Sequence, residues 1–155
     1  MKKILFVNAS PEKQGNTARM AAELIGQHPY TSITLADYQI NTYGSTLPGD
    51  QLPEIVDAIR QADIVVLGSP VYWHNLAGSL RVVMDRFYGW IGAGEFDGKL
   101  MFGIYQGAAP TDWMLKDGEY TLERFARMYG FTYLGTATSD HEARSLHAAF
   151  EKAAA

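Results

Sequence analysis

Five short apolar runs, each followed by a segment of helical or turn character, constrain this chain more than any other feature. The first, Lys3-Ile-Leu-Phe-Val-Asn8, is nearly continuous, as in a strand buried on both faces. Ser32 to Tyr38 alternates apolar and polar residues, with Ile33 and Leu35 inward, and predicts an edge strand. Asp63 to Ser69, Leu100 to Tyr105 and Phe131 to Thr138 read as the third, fourth and fifth strands. Strands separated by helices run parallel with right-handed crossovers, so helices cover both faces of one sheet. The expected fold is α/β, a doubly wound five-stranded parallel sheet of order 2-1-3-4-5. A length of 155 residues suits one domain over 1–155.

The intervening segments carry helix signals. Thr17 to Gly26 places Met20, Leu24 and Ile25 on one side, with Gly26 as a stop. Pro53 to Ala62 begins with a proline suited to a first turn. Leu76, Leu80, Val83, Met84 and Phe87 form a helical stripe in which Arg81 and Asp85 are spaced to pair. A fourth helix is expected from about Glu119 to Tyr129, with Leu122, Phe125 and Met128 inward. Ser139 followed by Glu142 is a capping-box pattern for the last helix. Asn41 to Asp50, Gly89 to Gly98 and Gly107 to Gly118 read as loops.

Composition narrows the chemistry. The hydrophobic fraction of 47% and charged fraction of 19% fit a globular chain. A formal net charge of −4, without a basic cluster, gives no support for nucleic-acid binding. There is no cysteine, which excludes disulfides, thiolate catalysis and cysteine-held clusters within these residues. His28, His74, His141 and His147 form no metal-binding pattern, so no metal is expected. No apolar run approaches the roughly 20 residues that span a bilayer, and the start lacks a secretory signal, so a cytoplasmic location is the default expectation.

In a doubly wound sheet, ligands sit beyond the carboxyl ends of the strands where the strand order reverses. Three loops meet there. The first, Ala9-Ser-Pro-Glu-Lys-Gln-Gly-Asn-Thr17, places small and hydroxyl residues before a helix start, where free N–H groups favour an anion. Ser10 and Thr17 offer hydroxyls, Asn16 an amide, and Gly15 a close backbone approach; turn formation by Ser10 and helix capping by Asn16 or Thr17 are the structural alternatives. Neither the Walker loop nor G-x-G-x-x-G is present. The second loop, Ser69-Pro-Val-Tyr-Trp-His-Asn75, carries Pro70, Tyr72 and Trp73 in a tight turn suited to a flat ring. The third begins at Gln106 and Gly107.

Ser10-Pro-x-x-x-Gly-Asn-Thr17, Ser69-Pro-Val-Tyr-Trp73 and Leu80-Arg-x-x-x-Asp-Arg86 together resemble the flavodoxin-like NAD(P)H-dependent FMN reductases and related quinone reductases. The resemblance implies a flavodoxin-like sheet with FMN as cofactor and NADH or NADPH as co-substrate. It implies electrons passing through FMN to a quinone or similar small acceptor, and a homodimer. By the same resemblance, Ser10, Asn16, Thr17 and Ala18 hold the FMN phosphate, with Gly15 in the loop. Pro70, Val71, Tyr72 and Trp73 line the isoalloxazine, and Gln106 and Gly107 approach its pyrimidine edge. No side chain is required as acid, base or nucleophile, so no catalytic residue is assigned. Arg81, Asp85 and Arg86 are expected to be structural. Lys13 has two readings, phosphate contact or solvent, and His74 is expected at the surface or packed rather than on a substrate. Trp90 and Phe96 either serve an interface or fold back on the chain.

Three rivals remain at this point. A flavodoxin-type electron carrier shares the fold, although such carriers have a shorter, threonine-rich first loop and a strongly acidic surface. A receiver-type signalling domain needs acidic residues where Asn8 and Ser69 stand. A flavin-free scaffold is the third.

Overall fold

Side chains along β1 (Ile4–Asn8) alternate between two cores. The computed structural model describes residues 1–155. On one face Ile4 and Phe6 meet α1 (Asn16–Ile25) and α5 (Asp140–Ala154). On the other, Leu5 and Val7 join α2 (Leu52–Gln61), α3 (Gly78–Phe87) and α4 (Asp112–Met128). β3 (Ile64–Tyr72) repeats the division, with Ile64 and Val66 against Val65 and Leu67. β5 (Leu100–Gln106) does so with Phe102 and Ile104 against Met101 and Tyr105. Each such buried side chain is worth about 1.5–3 kcal/mol, and a one-residue slip would reverse every one of them, so the two-sided burial fixes the register.

β2 (Thr31–Thr34), β1, β3, β5 and β6 (Thr132–Ala137) lie side by side in that order, all parallel. Counted along the chain, these five parallel strands stand in the expected order 2-1-3-4-5. The short β4 (Asn75–Leu76) pairs antiparallel with Val71 and Tyr72 at the end of β3. No helix is long and apolar enough to cross a membrane.

Several local expectations are corrected. β2 stops at Thr34 instead of continuing to Tyr38, and Leu35–Asp37 forms a 3-10 turn. The reason is the ladder: Thr34 pairs with Asn8, the last residue of β1, and no partner extends beyond it. α4 begins at Asp112 rather than near Glu119, with Thr111 Oγ1 accepting the Met114 N–H at 3.3 Å. Gly118, which suggests a loop end, lies inside this helix because the Tyr105 ring occupies the space its Cβ would take. Met128 is exposed; Leu122, Ala126 and Tyr129 form the buried stripe instead.

Arg81 and Asp85 form no ion pair. Arg86 is the structural residue of that motif: Nη2 lies 2.6 Å from Asp50 Oδ2, and Nη1 donates to the Asn41 carbonyl at 2.7 Å. It pins the 41–50 loop to α3, and the Arg86 guanidinium holds the Asp50 carboxyl below its ordinary value. Phe96 is buried and stacked on Phe131 at 4.9 Å, which removes it from any interface, whereas Trp90 stays partly exposed beside Arg60. Ser139 caps α5 by accepting the Glu142 N–H, while the Glu142 carboxylate accepts the N–H of Thr138.

Candidate active site

β1 ends at Asn8, opposite Gly68, but β3 runs on to Tyr72. At Ser69 and Pro70 β3 therefore has β5 on one side and no strand on the other. Pro70 sits in this one-sided stretch, where a missing N–H breaks no ladder bond. The first loop and the start of α1 fill the gap. Asn8 Oδ1 accepts the Ser10 N–H at 3.0 Å, and Ser10 Oγ accepts the Glu12 N–H at 3.2 Å. Ser10 is thus buried and shapes the loop.

Gly15 is the N-cap of α1, and no side chain caps the helix. Neither Asn16 nor Thr17 takes the capping role, and the N–H groups of Asn16, Thr17 and Ala18 have no acceptor. An uncapped helix start carries partial positive charge and unpaired donors, which together favour an anion. Thr17 is 1% exposed, and its Oγ1 accepts from Gln106 Nε2 at 3.1 Å. A Cβ on Gly68 would lie 2.6 Å from the Phe6 ring and 2.8 Å from Thr17 Cγ2. Glycine there lets α1 begin close against β3.

The second loop is a hairpin. The expected turn carries Pro70, Tyr72 and Trp73, but only Trp73 lies in it; Pro70 and Tyr72 belong to β3, because pairing with β5 and then β4 continues through them. Trp73 and His74 make the turn, with φ of 47° and 67°. Two-residue hairpin turns with both φ positive favour Asn-Gly, so Trp-His here holds about 1 kcal/mol or more of strain per residue. Trp73 is 96% exposed and Tyr72 46%, which removes both from the core; His74 is exposed too. The hairpin is tied down by Asn75, whose Nδ2 donates to Asp117 Oδ2 at 2.5 Å and whose Oδ1 accepts the Leu76 N–H. Ser69 Oγ adds a second tie by accepting the Ala77 N–H at 2.8 Å.

Gln106 ends β5 opposite Pro70, and Gly107 lies against Val71, 3.0 Å from the position a Cβ would take. The ends of β1, β3 and β5 and the loops that follow them thus lie side by side at the carboxyl edge of the sheet, called the shelf below, with Ser10 and Thr17 buried and Tyr72 and Trp73 exposed. Lys13 is not on the shelf side alone in solvent but paired with Asp37 at 2.6 Å. Sequence reasoning missed Asp117, because the segment containing it gave no helical periodicity. Beneath the shelf the Tyr105 hydroxyl is buried without a partner, and burial, with the Asp117 charge, pushes its pKa up to about 12.

The sequence profile of a family described as NADPH-dependent FMN reductase matches residues 2–139. The chain belongs to this family. Among curated relatives, it is 29% identical over 98 residues to an iron-sulfur flavoprotein of Methanocaldococcus jannaschii, covering 54% of this chain and 51% of that protein. It is 27% identical over 96 residues to an iron-sulfur flavoprotein of Archaeoglobus fulgidus, covering 54% and 48%. The chain spans about half the length of the curated relatives it matches. Unlike a cluster protein held by thiolates, these 155 residues contain no cysteine.

Solved structures show the same flavodoxin-like fold for this FMN reductase family member. The Trp repressor binding protein from Bacillus subtilis superposes with a TM-score of 0.69 at 19% identity, covering 97% of this chain and 96% of that one. The apo form of an NADH:FMN oxidoreductase gives 0.68 at 21% identity, covering 99% and 88%.

Proposed function

We propose that this chain is an NAD(P)H-dependent FMN oxidoreductase that binds FMN on the shelf and passes electrons to a quinone or similar small acceptor. The observation that carries the proposal is the uncapped start of α1, with its unpaired Asn16, Thr17 and Ala18 N–H groups, packed against β3 at Gly68, the strand that runs on into the exposed aromatic hairpin. The residues fit FMN. An anion matches the free donors, and a flat ring matches the otherwise unexplained exposure of Trp73.

In this reading Ser10 shapes the loop, and Asn16, Thr17 and Ala18 hold the phosphate, with Gly15 allowing the approach. Pro70 and Val71 present backbone to the ring while Tyr72 and Trp73 cover its edge and exclude water. Gln106 and Gly107 meet its pyrimidine side. Bound there, FMN supplies the two-electron chemistry, and the chain supplies position and access. No side chain is assigned as an acid or base. The homodimer belongs to the same proposal, supported by exposed Trp113 and Tyr120 on α4, which is tied to the hairpin through Asp117; sedimentation of the FMN-loaded protein tests it.

The test of the activity is anaerobic mixing of FMN-loaded protein with NADH or NADPH. Bleaching of the visible flavin band by either, reversed by an added quinone, is the expected result. A band that neither coenzyme bleaches would leave a carrier protein and overturn the reductase.

A further inference from the structure

The hairpin after β3 is an unfavourable structure held in place from outside. Trp73 and His74 both have positive φ, and neither is a residue type that adopts it readily. Both side chains are exposed, so burial does not offset the strain. The closing strand β4 is two residues long, and its ladder consists of Val71 opposite Leu76 and Tyr72 opposite Asn75.

A side chain of α4 reaches the base of this turn. The Asp117 carboxylate accepts from Asn75 Nδ2, while Asn75 Oδ1 accepts the Leu76 N–H. Both ends of the Asn75 amide are thus engaged, and the residue next to His74 is bridged to α4.

The same carboxylate leaves another donor unserved. The Tyr105 ring fills the Cβ position of Gly118, the residue after Asp117. Its hydroxyl is buried without a partner, and burial, then the Asp117 charge, push its pKa up to about 12. A carboxylate placed for stability alone would accept from that phenol, because an unpaired buried hydroxyl is costly. Asp117 is bonded to the hairpin instead. A strained turn and an orphaned hydroxyl therefore flank one ion-assisted hydrogen bond. Strain of this kind persists where the surroundings over-determine it, and it gathers at ligand clamps.

We propose that Asp117 is a positioning residue for the flavin ring, holding the Trp73–His74 turn through Asn75 in the conformation that meets the isoalloxazine. The inference rests on the FMN reading and names what pre-organises the ring wall of that site. Without the tie, the turn relaxes into unstrained conformations. Flavin affinity then falls by the fraction of molecules whose turn is still in place. The loss belongs to the ring and not to the phosphate, because the phosphate donors stand on α1, which Asp117 does not touch.

The test measures FMN and riboflavin affinities by fluorescence titration of the flavin-free protein. Four proteins are compared: the parent, Asp117→Ala, Asn75→Asp, and the double variant Asn75→Asp with Asp117→Asn. Asp117→Ala removes the acceptor, and Asn75→Asp sets two carboxylates against each other. The double variant exchanges donor and acceptor and restores the bond. Each single variant is expected to bind both flavins about tenfold more weakly, with the ratio of FMN to riboflavin affinity unchanged. The double variant is expected to return to within about threefold of the parent. Melting curves of the flavin-free proteins check that each is folded. Should Asp117→Ala not melt cooperatively, Asp117→Asn replaces it, with an expected loss of about threefold. Single variants that bind flavin as the parent does, a double variant that stays as weak as the singles, or a loss confined to FMN overturn the inference while leaving the FMN reading intact. A parent that binds neither flavin removes the FMN reading and the positioning role with it.

Discussion

Gln106 Nε2 donates to Thr17 Oγ1 across 3.1 Å, joining the end of β5 to the first turn of α1. The bond leaves the Thr17 hydroxyl proton free to donate elsewhere, at a helix start already lined with unpaired N–H groups. Residues distant in sequence thereby fix the shelf before any ligand arrives.

Thr17→Val keeps the branched shape that packs at Gly68 and removes only the hydroxyl. A hydrogen bond to a charged group is worth about 1.5–3 kcal/mol, so FMN affinity is expected to fall about tenfold or more. Thr17→Ser should restore most of it. Fluorescence titration with FMN measures both, and an unchanged affinity in Thr17→Val would remove this residue from the phosphate site.

Trp73 gives effects of opposite sign. Its φ of 47° is unfavourable for a bulky residue, and its side chain is almost fully exposed. Trp73→Gly is expected to stabilise the flavin-free protein by about 1 kcal/mol, raising Tm by about 2–4 °C, while weakening FMN binding. Calorimetry and titration on the same sample separate the two effects.

Gly118 is a glycine inside a helix, where alanine ordinarily gains about 1 kcal/mol. Here the Tyr105 ring fills the Cβ position. Gly118→Ala is therefore expected to destabilise by about 1–3 kcal/mol, read from the midpoint of urea unfolding.

Tyr105 supplies a pH dependence. Its folded pKa, about 12, lies above the ordinary 10.0 because burial disfavours the phenolate. The stabilisation of the neutral form is complete below pH 10 and is lost as pH rises toward 12. Tyr105→Phe removes both the titration and a buried hydroxyl without a partner. The variant should be more stable by about 1 kcal/mol at neutral pH, and should lose less stability between pH 10 and 12. Urea unfolding across that range measures the difference.

The parallel sheet was legible because apolar runs such as those of β1, β3 and β5 are separated by segments of helical periodicity, and the strand order followed from the usual topology of five such units. The phosphate loop was legible because its residue types sit directly before a helix. Departures arose where a tertiary contact overrode a local signal. Gly118 resembles a breaker until the Tyr105 ring is placed beneath it. Leu35 resembles a strand residue until the end of β1 removes its partner. Asn75 and Asp117 are far apart in sequence, and no local pattern joins them. A tight turn containing Trp73 was legible, but its restriction to Trp73 and His74 was not, because the strained backbone uses residues that a two-residue turn normally avoids.

The central claim is that the start of α1 holds the phosphate of FMN, and the direct measurement compares FMN with riboflavin, which lacks it. Fluorescence titration of the flavin-free protein should show FMN binding about a hundredfold tighter than riboflavin, the worth of two charge-assisted hydrogen bonds at the low end of their range. The gap should narrow in Thr17→Val. Equal affinities for the two flavins would contradict the account.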